Sequence, residues 1–208
     1  MRPERNSVWT QPLATFRDAT AAARPTPGCG AAAAVSAEIG VALVLKGLRI
    51  SEAHGSEPER LERLRAAEAL LGRTGAFADH DMQAFDDYLS AARDDEPEQK
   101  QAAARQACAV PLALAHCCLE ALELAVIAWP LCAERLRSDV QAGAFLIHAG
   151  LSAALINVDT DLAGLDDQTA REQAGAARAR LQAEGDALLR QLLERVRSVG
   201  SGSLDPGS

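Results

Sequence analysis

The sequence predicts an all-α protein, a bundle of long, roughly antiparallel helices, and three observations carry that prediction. Apolar residues make up 48% of the 208-residue chain but aromatic ones only 3%, so Ala, Leu, Val and Ile must fill its interior. Such a core suits closely packed helices. Where these residues recur they keep helical spacing, as at Leu61, Leu64, Ala67, Leu70 and Leu71, or at Leu181, Leu188, Leu189, Leu192, Leu193 and Val196. No strand signal of useful length and no internal repeat occurs.

Length and charge bound the rest. A single domain is expected over 12–198, after a loose polar arm at 1–11 and before a Gly/Ser-rich tail at 199–208 that should be disordered. The net charge of −8 argues against a nucleic-acid surface and against an anionic membrane. No uninterrupted run of 18 apolar residues is present, and the N-terminal charges lead into no apolar segment, so a cytoplasmic location is expected. The five cysteines show no C-x-x-C pair and sit mostly in Ala/Leu-rich helix, the usage of a reducing compartment without disulfides.

The elements follow in order. A short helix is expected over about 12–23, and a second from Gly30 to about Glu52. Ser56 and Glu59 form a capping box for a long helix running to about Ala92, weakened at Gly72 and Gly75. Pro97 opens the next helix, which should reach about Arg135 with kinks at Pro111 and Pro130; its run Ala109 to Ala133, apolar almost all round, should be the central buried helix or part of a subunit interface. Ser138 is placed to cap a helix ending near Asn157, and an amphipathic helix fills about 167–198. His116 and Glu120 stand at i, i+4, but two ligands without a third do not make a metal site, and none is expected.

The stretch that organises the chain runs from Arg24 to Ser51 and opens RPTPGCGAAAAV. Pro25 and Pro27 forbid helix, Gly28 and Gly30 allow positive φ or close backbone approach, and Ala31 to Ala34 continue as a helix with almost no side chain. The unsatisfied N–H groups of its first turn, at the positive end of the helix dipole, suit a carboxylate, phosphate or oxyanion. A tight turn opening a well-packed helix explains the same residues without a ligand.

PTPG followed by a Gly-containing, Ala-rich helix resembles the signature of the cyclodeaminase/cyclohydrolase family. That family comprises the small methenyltetrahydrofolate cyclohydrolases and the C-terminal domain of formiminotransferase-cyclodeaminase. Asp81 with Ala84 and Phe85, Val110-Pro111-Leu112, Ser138-Asp139, Asn157-Val158 and Gly164-Leu165-Asp166-Asp167 are similar to further family landmarks and keep their order. The resemblance implies a helical homodimer acting on a one-carbon unit of tetrahydrofolate or a related pterin, without metal or redox cofactor. The expected reaction is hydrolysis of the 5,10-methenyl bridge to the 10-formyl form. It further implies Asp81 and Asp139 as catalytic carboxylates, and Pro27, Gly28, Cys29, Gly30, Lys46, Arg49 and Asn157 as substrate-binding residues. Departures from the pattern keep alternatives open. Cys29 stands where the family has a glycine, the lysine cluster after the second helix is missing, and Asp161 replaces a common Asn. A binding or assembly subunit without turnover, or a formimino-tetrahydrofolate cyclodeaminase, are the other readings.

Overall fold

The computed structural model describes residues 7–93 and 96–202, and these contain seven α-helices and no strand. In chain order they are α1 (Leu13–Thr20), α2 (Cys29–Ala53), α3 (Pro58–Leu70), α4 (Arg73–Ala91), α5 (Pro97–Leu131), α6 (Arg137–Asp161) and α7 (Gln168–Gly202). Single 3-10 turns lie at Val8–Thr10, Glu134–Leu136 and Leu162–Gly164.

The centre is the antiparallel pair α2 and α6, and small residues bring the two backbones together. A Cβ on Gly40 would stand 2.6 Å from the Gly143 carbonyl oxygen, one on Gly143 2.6 Å from that of Gly40, and one on Gly150 2.8 Å from that of Ala33. Gly40 and Gly47 on α2, like Gly143 and Gly150 on α6, recur every two turns and so stay on one face. The weak amphipathicity of α2 has this cause: its neighbours are backbone, not large side chains. Around the pair, α5 packs on α6, α4, α7 and α3, burying Leu114, Cys118, Leu122, Ala125 and Trp129. Pro111 and Pro130 both lie inside α5, which ends at Leu131 rather than near Arg135.

Five local expectations are corrected. The long helix expected over 56–92 is two helices, because Gly72 takes φ +86, a left-handed conformation that ends α3 and starts α4. Ser56 does not form a capping box; its hydroxyl donates to Glu52, and Glu57 is the N-cap. Ser138 falls inside the first turn of α6, with Leu136 at the N-cap. Part of the expected loose arm is docked: Val8 N–H donates to Asp79 at 2.9 Å and Trp9 Nε1 to the Gly75 carbonyl at 2.9 Å, with Val8 buried. Residues 1–6 lie outside the described residues. At the other end α7 continues to Gly202, since each added residue gains a backbone bond to a turn already formed; residues 203–208 lie outside the description.

Glu38, a charge inside an otherwise apolar helix, serves the fold. It is 8% exposed and accepts bonds from Gly72 N–H at 2.6 Å, Gly75 N–H at 2.9 Å and the Thr74 hydroxyl. A carboxylate on α2 thereby satisfies the orphan donors at the start of α4 and fixes α4 against α2. Arg60 does similar work at the opposite end, joining Glu52, Glu57 and the carbonyls of Gly55 and Leu131. Three stretches, Cys29–Ala53, Pro97–Leu131 and Glu134–Gly164, are long and apolar enough to cross a membrane by length and composition. Here they pack on one another as the bundle core.

Candidate active site

The turn before α2, the middle of α4 and the end of α6 meet at one point. The turn carries a cis Thr26–Pro27 peptide and leads to Gly28, the N-cap of α2, at φ −111. Gly28 therefore uses no positive φ, and a Cβ there would meet only the Pro25 carbonyl at an ordinary 3.5 Å. The demand falls on Gly30, where a Cβ would lie 1.9 Å from Asp81 Oδ1, 2.3 Å from Asp81 Cγ and 2.6 Å from Asn157 Nδ2. The missing side chain is the space in which the carboxyl sits.

Asp81 takes the place at the helix start that an external anion would otherwise occupy. It accepts from the Ala31 backbone N–H and, at 3.2 Å, from Asn157 Nδ2. Burial pushes this carboxyl up to about 6, against the two hydrogen bonds that pull it down. The Asn157 amide is held from its other side, since the Cys29 thiol donates to its Oδ1. Burial also raises the Cys29 thiol, with the Asp81 charge as the next cause, so it serves as a donor and not as a thiolate nucleophile.

These groups line a cavity of about 280 Å³, closed on one side by Ala84 and Phe85 of α4 and by Ala107 of α5. Its remaining polar wall is Thr26, Thr160 and Asp161. The Asp161 carboxyl is pushed up to about 6 as well, by burial and then by the Asp81 charge. Behind it, burial and Asp161 raise the Cys108 thiol to about 11. The lining contains no lysine or arginine among the described residues. A small organic cation or neutral ring system fits such a lining better than an anion does.

Of the residues singled out by sequence, the structure brings together Gly28, Cys29, Gly30, Asp81 and Asn157, with Pro27 in the turn beside them. Lys46, Arg49 and Asp139 are elsewhere within the chain. Lys46 Nζ pairs with Asp139 at 2.8 Å and Arg49 with Glu68 at 2.8 Å. That cluster lies about 25 Å along α2 from Cys29, at 1.5 Å per residue. His116 carries no metal arrangement: its helical neighbour Glu120 is engaged by Arg73, and no cluster of three metal-ligating side chains occurs among the described residues. Asp161 entered the sequence reading only as a departure from a pattern, yet its i+4 spacing from Asn157 was the signal that both point the same way.

A half-buried carboxyl, a glycine at a helix start and an asparagine thus share one cavity inside an all-helical bundle. The chain belongs to the formiminotransferase-cyclodeaminase family, which it matches over residues 12–180. It is 33% identical over 202 residues to the methenyltetrahydrofolate cyclohydrolase of Methylorubrum extorquens, a match covering 89% of this chain and 96% of that one. To the formimidoyltransferase-cyclodeaminase of Sus scrofa it is 30% identical over 214 residues; the match covers 92% of this chain but only 38% of that longer one. The crystal structure of formiminotetrahydrofolate cyclodeaminase from Thermotoga maritima superposes with a TM-score of 0.86, over 92% of this chain and 98% of that one. At 22% identity that likeness shows a shared fold.

Proposed function

We propose that the protein hydrolyses the 5,10-methenyl bridge of tetrahydrofolate, or of a related pterin carrier, to the 10-formyl form. The observation that carries this reading is Asp81: a carboxyl poised near 6, fixed by Ala31 N–H and Asn157, in a cavity with no cationic side chain among the described residues. The methenyl bridge carries a positive charge, and an ionised carboxylate beside it stabilises the bound ground state and accepts a proton from attacking water. The resemblance to a methenyltetrahydrofolate cyclohydrolase along nearly the full length of both chains supports the same reaction. No step asks for a metal or a redox cofactor. Deamination of a formimino substrate passes through the same bridge carbon, and the two substrates offered in parallel tell these activities apart.

The protein acts in this reading as a cytoplasmic homodimer. The outer face of α2 and α6 exposes Ile39, Phe145 and Ile156, with Ala142, Ala149 and Leu43 between them. Ile39 and Phe145 lie near the middle of the face, so a two-fold axis there would pair it with itself and bury them. Because α2 and α6 span the whole face, that symmetry also carries the Lys46/Asp139 end of one subunit towards the Asp81 end of the other. Lys46, Arg49 and Asp139 would then supply charge to a site completed by two chains, and the substrate's carboxylates would find the cations that the Asp81 cavity lacks.

The test is to follow loss of the methenyl chromophore of 5,10-methenyltetrahydrofolate against the buffer rate. Acceleration that Asp81→Asn abolishes is the expected result. No acceleration by folded protein would sink the proposal.

A further inference from the structure

Two carboxyl groups line the cavity, and their surroundings differ. Asp81 receives two hydrogen-bond donors, the Ala31 N–H and Asn157 Nδ2, which favour its ionised form. The carboxyl of Asp161, the last residue of α6, accepts no hydrogen bond among the described residues, and the residue stands half-buried in the cavity wall. Among the described residues, the ionisable groups that face it are Asp81 from α4, Cys29 from α2 and Cys108 from α5, none of them cationic. Its neighbour Asp159 is paired instead with Arg178 of α7, at 2.8 Å. A carboxyl without donors, beside another that is ionised, keeps its proton while its neighbour gives one up. We propose that Asp161 is a second catalytic residue, the general acid that protonates N5 of the pterin while Asp81 serves as the base towards water.

The assignment rests on the cyclohydrolase reading and completes its proton balance. Water adds to the bridge carbon as Asp81 takes one of its protons, leaving a neutral carbinolamine. The bond from that carbon to N5 breaks, its electron pair staying on nitrogen, which receives the Asp161 proton. The carbinol O–H then gives its proton to the Asp161 carboxylate as the formyl C=O forms. Asp161 ends as it began, and the Asp81 proton leaves to solvent, so one methenyl cation and one water give 10-formyl product and one proton. With Asp81 ionised and Asp161 protonated, the base and the acid stand ready together within one pH window.

The experiment compares pH profiles of kcat for the wild type, Asp161→Asn and Asp161→Glu, with 13C NMR titration of the aspartate carboxyls in the free protein. Asp161→Asn should lose at least about tenfold in kcat and the alkaline limb of the profile, while Asp161→Glu keeps that limb. In the free wild type, two coupled carboxyl titrations should collapse to one in Asp161→Asn. An Asn variant with wild-type kcat and an unchanged profile, from a wild type that does turn over, overturns the role of Asp161 alone. A wild type without turnover overturns the cyclohydrolase reading, and this assignment with it, even where the NMR shows the pair.

Discussion

Replacing Asp81 by Asn should make the protein more stable at neutral pH while abolishing its chemistry. The folded carboxyl titrates near 6, against an ordinary value of 3.8, because burial disfavours its charge. A carboxyl raised in the folded state adds stability that is fully present below the unfolded value and lost as pH rises through the folded one. Here the loss runs from about pH 4 to about pH 6, and at pH 8 the wild type carries the whole cost of an ionised, half-buried group. A shift of this size corresponds to about 3 kcal/mol at 1.36 kcal/mol per pH unit; the solvent that still reaches the cavity brings the expectation to about 2 kcal/mol. Other carboxylates also titrate in this range, so the informative quantity is the difference in urea-unfolding free energy between wild type and Asp81→Asn at each pH. That difference should move by about 2 kcal/mol in favour of Asn between pH 4 and pH 8. Asn keeps an oxygen for the Ala31 N–H, so the helix start stays capped. A difference that is flat with pH, or one that moves in favour of wild type, would refute the argument that Asp81 is a strained functional carboxyl and recast it as an ordinary helix cap.

Further outcomes test the frame around it. Gly30→Ala places a Cβ 1.9 Å from Asp81 Oδ1, so the carboxyl must leave the helix start; turnover should fall to the buffer rate, and the acid limb of any residual activity should move. Glu38→Ala strands the Gly72 and Gly75 N–H groups and the Thr74 hydroxyl, and should cost about 3 kcal/mol in urea unfolding. Gly143→Ala meets the Gly40 carbonyl oxygen at 2.6 Å and should cost at least about 2 kcal/mol as α2 and α6 are forced apart. Phe145→Glu should give a folded monomer by light scattering and, where two subunits share a site, one without turnover. The Lys46–Asp139 pair is half-exposed, so Asp139→Asn should change subunit stability by less than about 1 kcal/mol; a large loss of kcat in that variant would mark Asp139 as functional.

What the sequence made legible was whatever depends on periodicity and on small residues. Helix positions, the buried α5 and the special start of α2 follow from apolar spacing and from the Pro/Gly turn, which are local. The purpose of Gly30 was legible only as a choice between close approach and positive φ, and a contact from Asp81, some fifty positions later in the chain, decides it. Glu38 shows the same limit: sequence alone does not decide whether a single charge on an apolar helix faces solvent, and only the start of α4 lying against it settles the matter. The capping signals at Ser56 and Ser138 misplaced their helix starts for a related reason: each side chain had a nearer partner or an adjoining 3-10 turn that shifted the N-cap. The two predicted catalytic aspartates are the instructive case. Motif order placed Asp81 and Asp139 in one site, but on antiparallel helices of this length motif residues near opposite ends are about 25 Å apart within a subunit. Either the second carboxyl of the reaction lies closer, at Asp161, or the chain must meet its own copy to bring Asp139 near. The first alternative predicts that Asp161→Asn impairs the reaction in a dimer that forms normally; the second, that inactive Asp81→Asn and Asp139→Asn regain activity when mixed, whereas monomeric Phe145→Glu does not.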